Sequence, residues 1–192
     1  MTLKELLKKD RSYRGYDESV KVTREQLMDL VDHARYTAST MNQQPLKYYL
    51  AYEPDKVAIV QENTIWARAL SELHLPFKGH YPPAFIIVCQ DLHINDSIPK
   101  FQTDVGIVSQ VMLMAATEKG LGGCIIESIN AGAIKKGLNL PENIAPLVAV
   151  AVGKPDETIV LTEIDADGSI KYYRDENNVH YVPKRKLEDI IL

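Results

Sequence analysis

The sequence predicts a single α+β domain spanning residues 1–192, on three observations. Apolar residues recur at helical spacing behind N-terminal capping signatures, two continuous apolar runs have the length of buried strands, and the tail carries short strand-like segments separated by turn residues. Thr2 with Glu5 three residues later forms a capping box for a first helix that carries Leu3, Leu6 and Leu7 and stops near Asp10. A second box, Thr23 with Gln26, opens an amphipathic helix through Leu27, Leu30, Val31 and Ala34 to about Tyr36. Residues 48–52 then read as a strand. Pro54 opens a helix carrying Val57, Val60 and Ile65, and a loop is expected between Ser71 and Pro83.

Residues 84–89, Ala-Phe-Ile-Ile-Val-Cys, are apolar throughout, which suits a central strand buried on both faces. From Thr103 to Lys119 the chain is apolar nearly all round, so this helix must be enclosed, with the core on one side and a second subunit as a candidate cover for the other. Gly120 is its expected C′ residue. Asn130 caps a short helix ending at Gly137, and residues 147–152 form a second buried strand. In the tail, residues 158–162, 170–173 and 179–182 read as strands, with a hairpin turn at 165–168.

Bulk properties narrow the function classes. A composition 45% hydrophobic and 25% charged is that of an ordinary globular protein, and a net charge of −4 removes the long-range attraction on which nucleic-acid binders rely. There is no signal-like apolar N-terminus and no membrane-spanning run, so a cytoplasmic protein with no membrane partner is expected. Cys89 and Cys124 both sit in apolar surroundings and read as buried reduced thiols. The five histidines never fall in metal-ligand spacing, so no metal site is expected.

Residues 165–168, Asp-Ala-Asp-Gly, begin like a calcium loop but lack its length and closing Glu. Residues 120–124, Gly-Leu-Gly-Gly-Cys, follow a helix and lack the third glycine of a dinucleotide fingerprint; they read as a helix stop with close backbone packing. Two constellations remain. Arg11 and Arg14 bracket Ser12 near one terminus, and Lys184, Arg185 and Lys186 lie near the other. Such clusters can pair with surface carboxylates, but chain termini often lie close together, and two guanidiniums with a hydroxyl are the donor set that grips phosphate. The second constellation, residues 39–45, reads either as a plain loop or as a concentration of hydroxyl and amide donors suited to sugar hydroxyls and heterocycle edges.

Residues 11–14, Arg-Ser-Tyr-Arg, followed by a helix ending in Ala38-Ser-Thr-Met-Asn-Gln-Gln-Pro45, resemble the nitroreductase superfamily, where Arg-Ser-x-Arg precedes Pro-Ser-x-x-Asn-x-Gln-Pro-Trp. The likeness continues through Asp104-Val-Gly106, residues 113–116, Gly120-Leu-Gly122, Val152-Gly-Lys-Pro155 and the basic segment from Arg185 to Ile190. Ala38, Leu46 and Ser128 depart from the family's usual Pro, Trp and Gly, and Lys78 stands in a loop where some members place an Asn.

The resemblance implies a nitroreductase-like fold: a central, mostly antiparallel sheet flanked by helices, in an intertwined homodimer with FMN in a groove between subunits. Arg11, Ser12 and Arg14 are then implied to contact the phosphate, ribityl chain and pyrimidine edge. Ser39, Thr40 and Asn42 come from the partner, and Lys184 and Arg185 reach the phosphate. Ile126, Glu127 and Ser128 present backbone N–H groups toward flavin N5, and the Arg14 charge stabilises the reduced ring. Two-electron transfer from NADH or NADPH to a nitroaromatic or quinone acceptor, in ping-pong order, is the implied activity. The alternatives are a protein that sequesters FMN without turnover, or a related flavin enzyme that removes a halogen or dehydrogenates a peptide.

Overall fold

The computed structural model describes residues 1–164 and 168–192. Its centre is a four-stranded antiparallel sheet in the order β1-β2-β4-β3, made of β1 (Leu46–Ala51), β2 (Ala84–Asp91), β3 (Gly122–Ile126) and β4 (Ile144–Gly153). The two apolar runs thus become the two inner strands, as expected of segments with no face left for water. In β2, Ala84, Ile86 and Val88 point into one core layer, and Phe85, Ile87 and Cys89 into the other. In β4, Val148, Val150 and Val152 face the first layer, while the smaller Ala149 and Ala151 face the second.

Helices cover both faces. α2 (Arg24–Ala34) and α4 (Gln102–Glu118) pack on the first layer, α3 (Pro54–Glu62) and α5 (Ala131–Gly137) on the second. The α2 capping box forms, with Thr23 Oγ1 accepting from the Gln26 N–H at 3.2 Å and Gln26 returning to the Thr23 N–H at 2.9 Å. That of α1 (Leu3–Lys9) forms as well. No residue of α1 is buried, however, and Leu3 and Leu7 remain exposed in the single chain. Ile65, assigned to the third helix from sequence, lies beyond the end of α3 and is exposed. The expected loop from Ser71 begins inside a short 3₁₀ turn, Arg68–Leu73.

α4 is followed, after its C-cap Lys119, by Gly120, whose φ of +76° is the left-handed conformation that glycine adopts without a Cβ penalty. The next glycines mark a close approach: a Cβ on Gly123 would lie 2.0 Å from the Ala151 carbonyl oxygen, and one on Gly122 would lie 2.7 Å from the Tyr13 ring. The reading of 120–124 as a helix stop with close packing therefore holds. That this segment continues as a strand was not legible in it.

The tail folds into a second, three-stranded sheet in the order β5-β7-β6, from β5 (Ile159–Glu163), β6 (Tyr173–Arg174) and β7 (His180–Lys184). β5 pairs with β7 in parallel, and only β6 and β7 make an antiparallel hairpin. The strand expected from Ile170 shrinks to two residues, and Ile170 is exposed. The turn expected at 165–168 lies, except for Gly168, outside the described residues. Among the described residues, no helix is long and apolar enough to cross a membrane, and no group of His, Cys, Asp or Glu is placed to hold a metal ion.

Candidate functional site

β3 is an edge strand, and the chain just after α1 docks along part of it. Ser12 bridges Gly123 in parallel, and the Tyr13 N–H donates to the Gly123 carbonyl at 2.9 Å. At Gly123 the absent Cβ makes room for the Ala151 carbonyl of β4, while at Gly122 it makes room for the Tyr13 ring and so permits this approach. Its consequence is to hold Arg11, Ser12 and Arg14 at the open edge of the main sheet.

The tail sheet reaches the same place. Arg11, Ser12, Arg14, Asp10, Gln110 and Leu113 line a cavity of about 300 Å³ together with Ile159, Tyr172, His180, Val182 and Lys184. Of the basic groups expected to meet from the two ends of the chain, Arg11, Arg14 and Lys184 do meet here, and Arg185 and Lys186 do not. Both are exposed and lie beyond the end of β7, whose last cavity-lining residue is Lys184.

Arg14 lines a second, adjoining hollow of about 400 Å³ whose other walls include Cys124, Ile125, Ile126, Glu127 and Ser128. The two hollows share Arg14 and Ile125, and so form one groove along the β3 edge. Ile126 is buried and Glu127 exposed, which leaves the segment's main chain as its constant contribution. The facing wall is Ile65, Trp66, Ala67 and Arg68, held there by the Ile65 N–H donating to the Ser128 carbonyl at 2.8 Å. Lys78 is not among the lining residues; Arg68 is the cation at that end.

Charge and burial shape the groove. The guanidinium Nε atoms of Arg11 and Arg14 are buried and have no protein partner, although Arg11 donates from Nη2 to the Leu7 carbonyl at 2.7 Å and Arg14 from Nη1 to the Ser12 carbonyl at 3.2 Å. Arg14 lies 5.5 Å from the centre of the Tyr172 ring. Its backbone N–H donates to Glu157, which is also paired with Arg174 in a contact where both side chains are almost fully buried. Burial raises the Asp10 carboxyl above its usual range, partly offset by a hydrogen bond from Gln110. Burial likewise pushes the thiols up, Cys124 to about 11 and Cys89 to about 12, so both are neutral and unreactive near pH 7.

Ser39, Thr40 and Asn42 are not brought to this groove within one chain. Ser39 Oγ and Thr40 Oγ1 donate to the Asp104 carboxylate at 2.7 and 2.6 Å, and the Thr40 N–H adds bonds of 2.9 and 3.1 Å. Asp104 is buried at the start of α4 and so fastens the loop to that helix. Met41, Asn42 and Gln44 all have positive φ, near 50°, an uncommon conformation for residues with a Cβ and one that tends to persist where the surroundings enforce it.

Several groove residues carried no signal in the sequence. Trp66 and Ala67 lie in irregular chain with no periodicity, between the end of the helix to which Ile65 was assigned and the 3₁₀ turn that begins at Arg68. Tyr172 and His180 stand in a tyrosine-rich segment whose strand pairing no local pattern reveals.

The sequence matches the nitroreductase family model over residues 7–154. Among solved structures it is similar to a nitroreductase family protein from Clostridium difficile 630, with 25% identity over 82% of this chain and 86% of that one, at a TM-score of 0.65. An FMN-dependent nitroreductase from Clostridium difficile R20291 is 22% identical over 79% of this chain and 87% of its own, at 0.63. A nitroreductase family protein from Streptococcus pneumoniae TIGR4 aligns over all of this chain and 99% of its own, with 16% identity and a TM-score of 0.71. The family match spans both Arg14 and the segment from Ile126 to Ser128, and with this sheet order and this groove the chain belongs to the nitroreductase family.

Proposed function

We propose that the protein is an FMN-dependent oxidoreductase that takes electrons from NADH or NADPH and passes them to a flat electrophilic acceptor, a nitroaromatic or a quinone. The observation that carries the reading is the convergence of Arg11, Ser12, Arg14 and Lys184, from opposite ends of the chain, on one cavity that Arg14 joins to the Ile126–Ser128 segment. Family membership and the FMN-dependent relative support it. The residues fit the cofactor: the buried Nε atoms of Arg11 and Arg14 have no protein partner and suit an anionic or carbonyl ligand, and the hollow beside them offers main chain and an aromatic wall.

FMN, when bound, would supply the hydride chemistry. The chain would supply binding and electrostatics. Arg11 and Lys184 would hold the phosphate, with Ser12 beside them. Arg14 would place its charge beside the ring's pyrimidine edge, favouring the reduced, negatively charged form over the oxidised one. The main chain of Ile126, Glu127 and Ser128 would offer hydrogen bonds at the reacting edge, so exchanging the Glu127 side chain would change little. Ser39, Thr40 and Asn42 would complete the groove from a second copy of the chain, which makes the homodimer part of the site.

Replacing Arg11 by Ala tests the reading. Loss of a guanidinium from a half-buried phosphate should weaken FMN binding by about 1–3 kcal/mol, read as FMN lost on gel filtration and as a raised Kd in fluorescence titration. Unchanged affinity in Arg11→Ala would remove this residue from the site.

A further inference from the structure

The tail sheet lies beyond the residues matched by the family model, yet one face of it walls the cavity. Strand alternation explains which face. His180, Val182 and Lys184 of β7 all line the cavity, with Ile159 of β5 in register with His180. Tyr181 points the other way and stacks on Tyr173, ring centres 5.1 Å apart. The inward set thus ends in a lysine and begins with a histidine. That histidine is 1% exposed, and neither of its ring nitrogens has a protein partner.

Its neighbours account for part of this isolation. Tyr172 packs edge-on against the imidazole with centres 5.4 Å apart, and Arg174, opposite His180 on β6, is engaged by Glu157. Burial, and then the charges of Arg174 and Arg14, pull the imidazole down to about 4, and Glu157, committed to Arg174 and the Arg14 N–H, does not hydrogen-bond to it. The ring is therefore neutral near pH 7, with one N–H to donate and one nitrogen to accept. Buried polar groups are paired as a rule, and a cavity wall shared with Lys184, Arg11 and Arg14 is where an anionic oxygen would supply the partner.

We propose that His180 is a direct contact of the ligand's phosphate, its ring N–H donating to a phosphate oxygen whose charge is met by Lys184 and Arg11. The tail sheet is then the element that makes this site select a phosphorylated flavin over the bare one. The inference rests on the FMN reading above and deepens it.

The test compares FMN with riboflavin on the flavin-stripped full-length protein. In wild type carrying ¹⁵N-labelled histidine, FMN should shift the His180 ring resonances and riboflavin should leave them in place. His180→Phe keeps a buried ring without the donor; it should weaken FMN by about tenfold or more and riboflavin by less than about threefold. His180 resonances unmoved by FMN, or equal weakening of both flavins, would overturn the contact while leaving the FMN reading intact. A wild-type protein that takes up no FMN would overturn both. If His180→Phe does not fold, the wild-type resonances decide alone.

Discussion

Asp104 shows how much a single residue can organise. Burial works to raise its carboxyl, but the hydrogen bonds from Ser39 and Thr40 outweigh that and hold it below the usual carboxylate range. A folded pKa below the unfolded 3.8 means that the stabilisation is complete above that value and is lost as pH falls further, through the folded pKa. Asp104→Asn, which retains one acceptor oxygen and sets an NH₂ against donors, should destabilise the protein by about 1–3 kcal/mol at pH 7 in urea unfolding. The gap to wild type should narrow below pH 3.8; a constant gap would mean that the carboxylate charge is not what holds the loop. The sequence placed Asp104 at the start of a buried helix without revealing that it anchors the polar loop, since a contact across 64 or 65 positions leaves no local pattern. The meeting of Arg11, Ser12, Arg14 and Lys184 was legible because unlike-sited cations in an acidic chain call for an anion. His180 was not, because a lone histidine among tyrosines reads as core.

At the scale of elements, helices were the most legible parts. Caps and apolar spacing act locally, so α2 and α4 lie within a residue or two of their expected limits. The inner strands β2 and β4 were legible for a related reason, since a segment buried on both faces must be apolar throughout. β3 escaped because its glycines are there for approach and not for strand propensity. Gly123→Ala should therefore be severe: a methyl 2.0 Å from the Ala151 carbonyl oxygen must push backbone, not a flexible side chain. The expected loss is at or above the upper end of about 1–3 kcal/mol, measured by urea unfolding, with flavin affinity falling as the Arg11–Arg14 segment is displaced. Gly106, where an added methyl would meet nothing within 4 Å, is the control and should accept Ala at little cost. The parallel pairing of β5 with β7 was illegible, because which strand a tail segment joins depends on the surface it covers.

At the scale of the molecule, a single chain leaves much apolar surface uncovered. Leu3 and Leu7 of α1 and Leu187, Ile190, Ile191 and Leu192 at the C-terminus are exposed, and Ile107, Val111 and Met114 of α4 are only half-buried. With Ser39, Thr40 and Asn42 absent from their own chain's groove, this supports an obligate homodimer burying more than roughly 2,000 Å². Sedimentation at nanomolar concentration should give a dimer, and a folded monomer that still holds flavin would contradict the shared site. Whether this groove holds FMN and exchanges electrons through it is read by one anaerobic absorption spectrum of the purified protein saturated with FMN, before and after NADH and NADPH. Protein-bound flavin should lose its visible absorption with at least one of the two. Protein that binds no flavin, or bound flavin that stays oxidised under an excess of both, would contradict the proposed function.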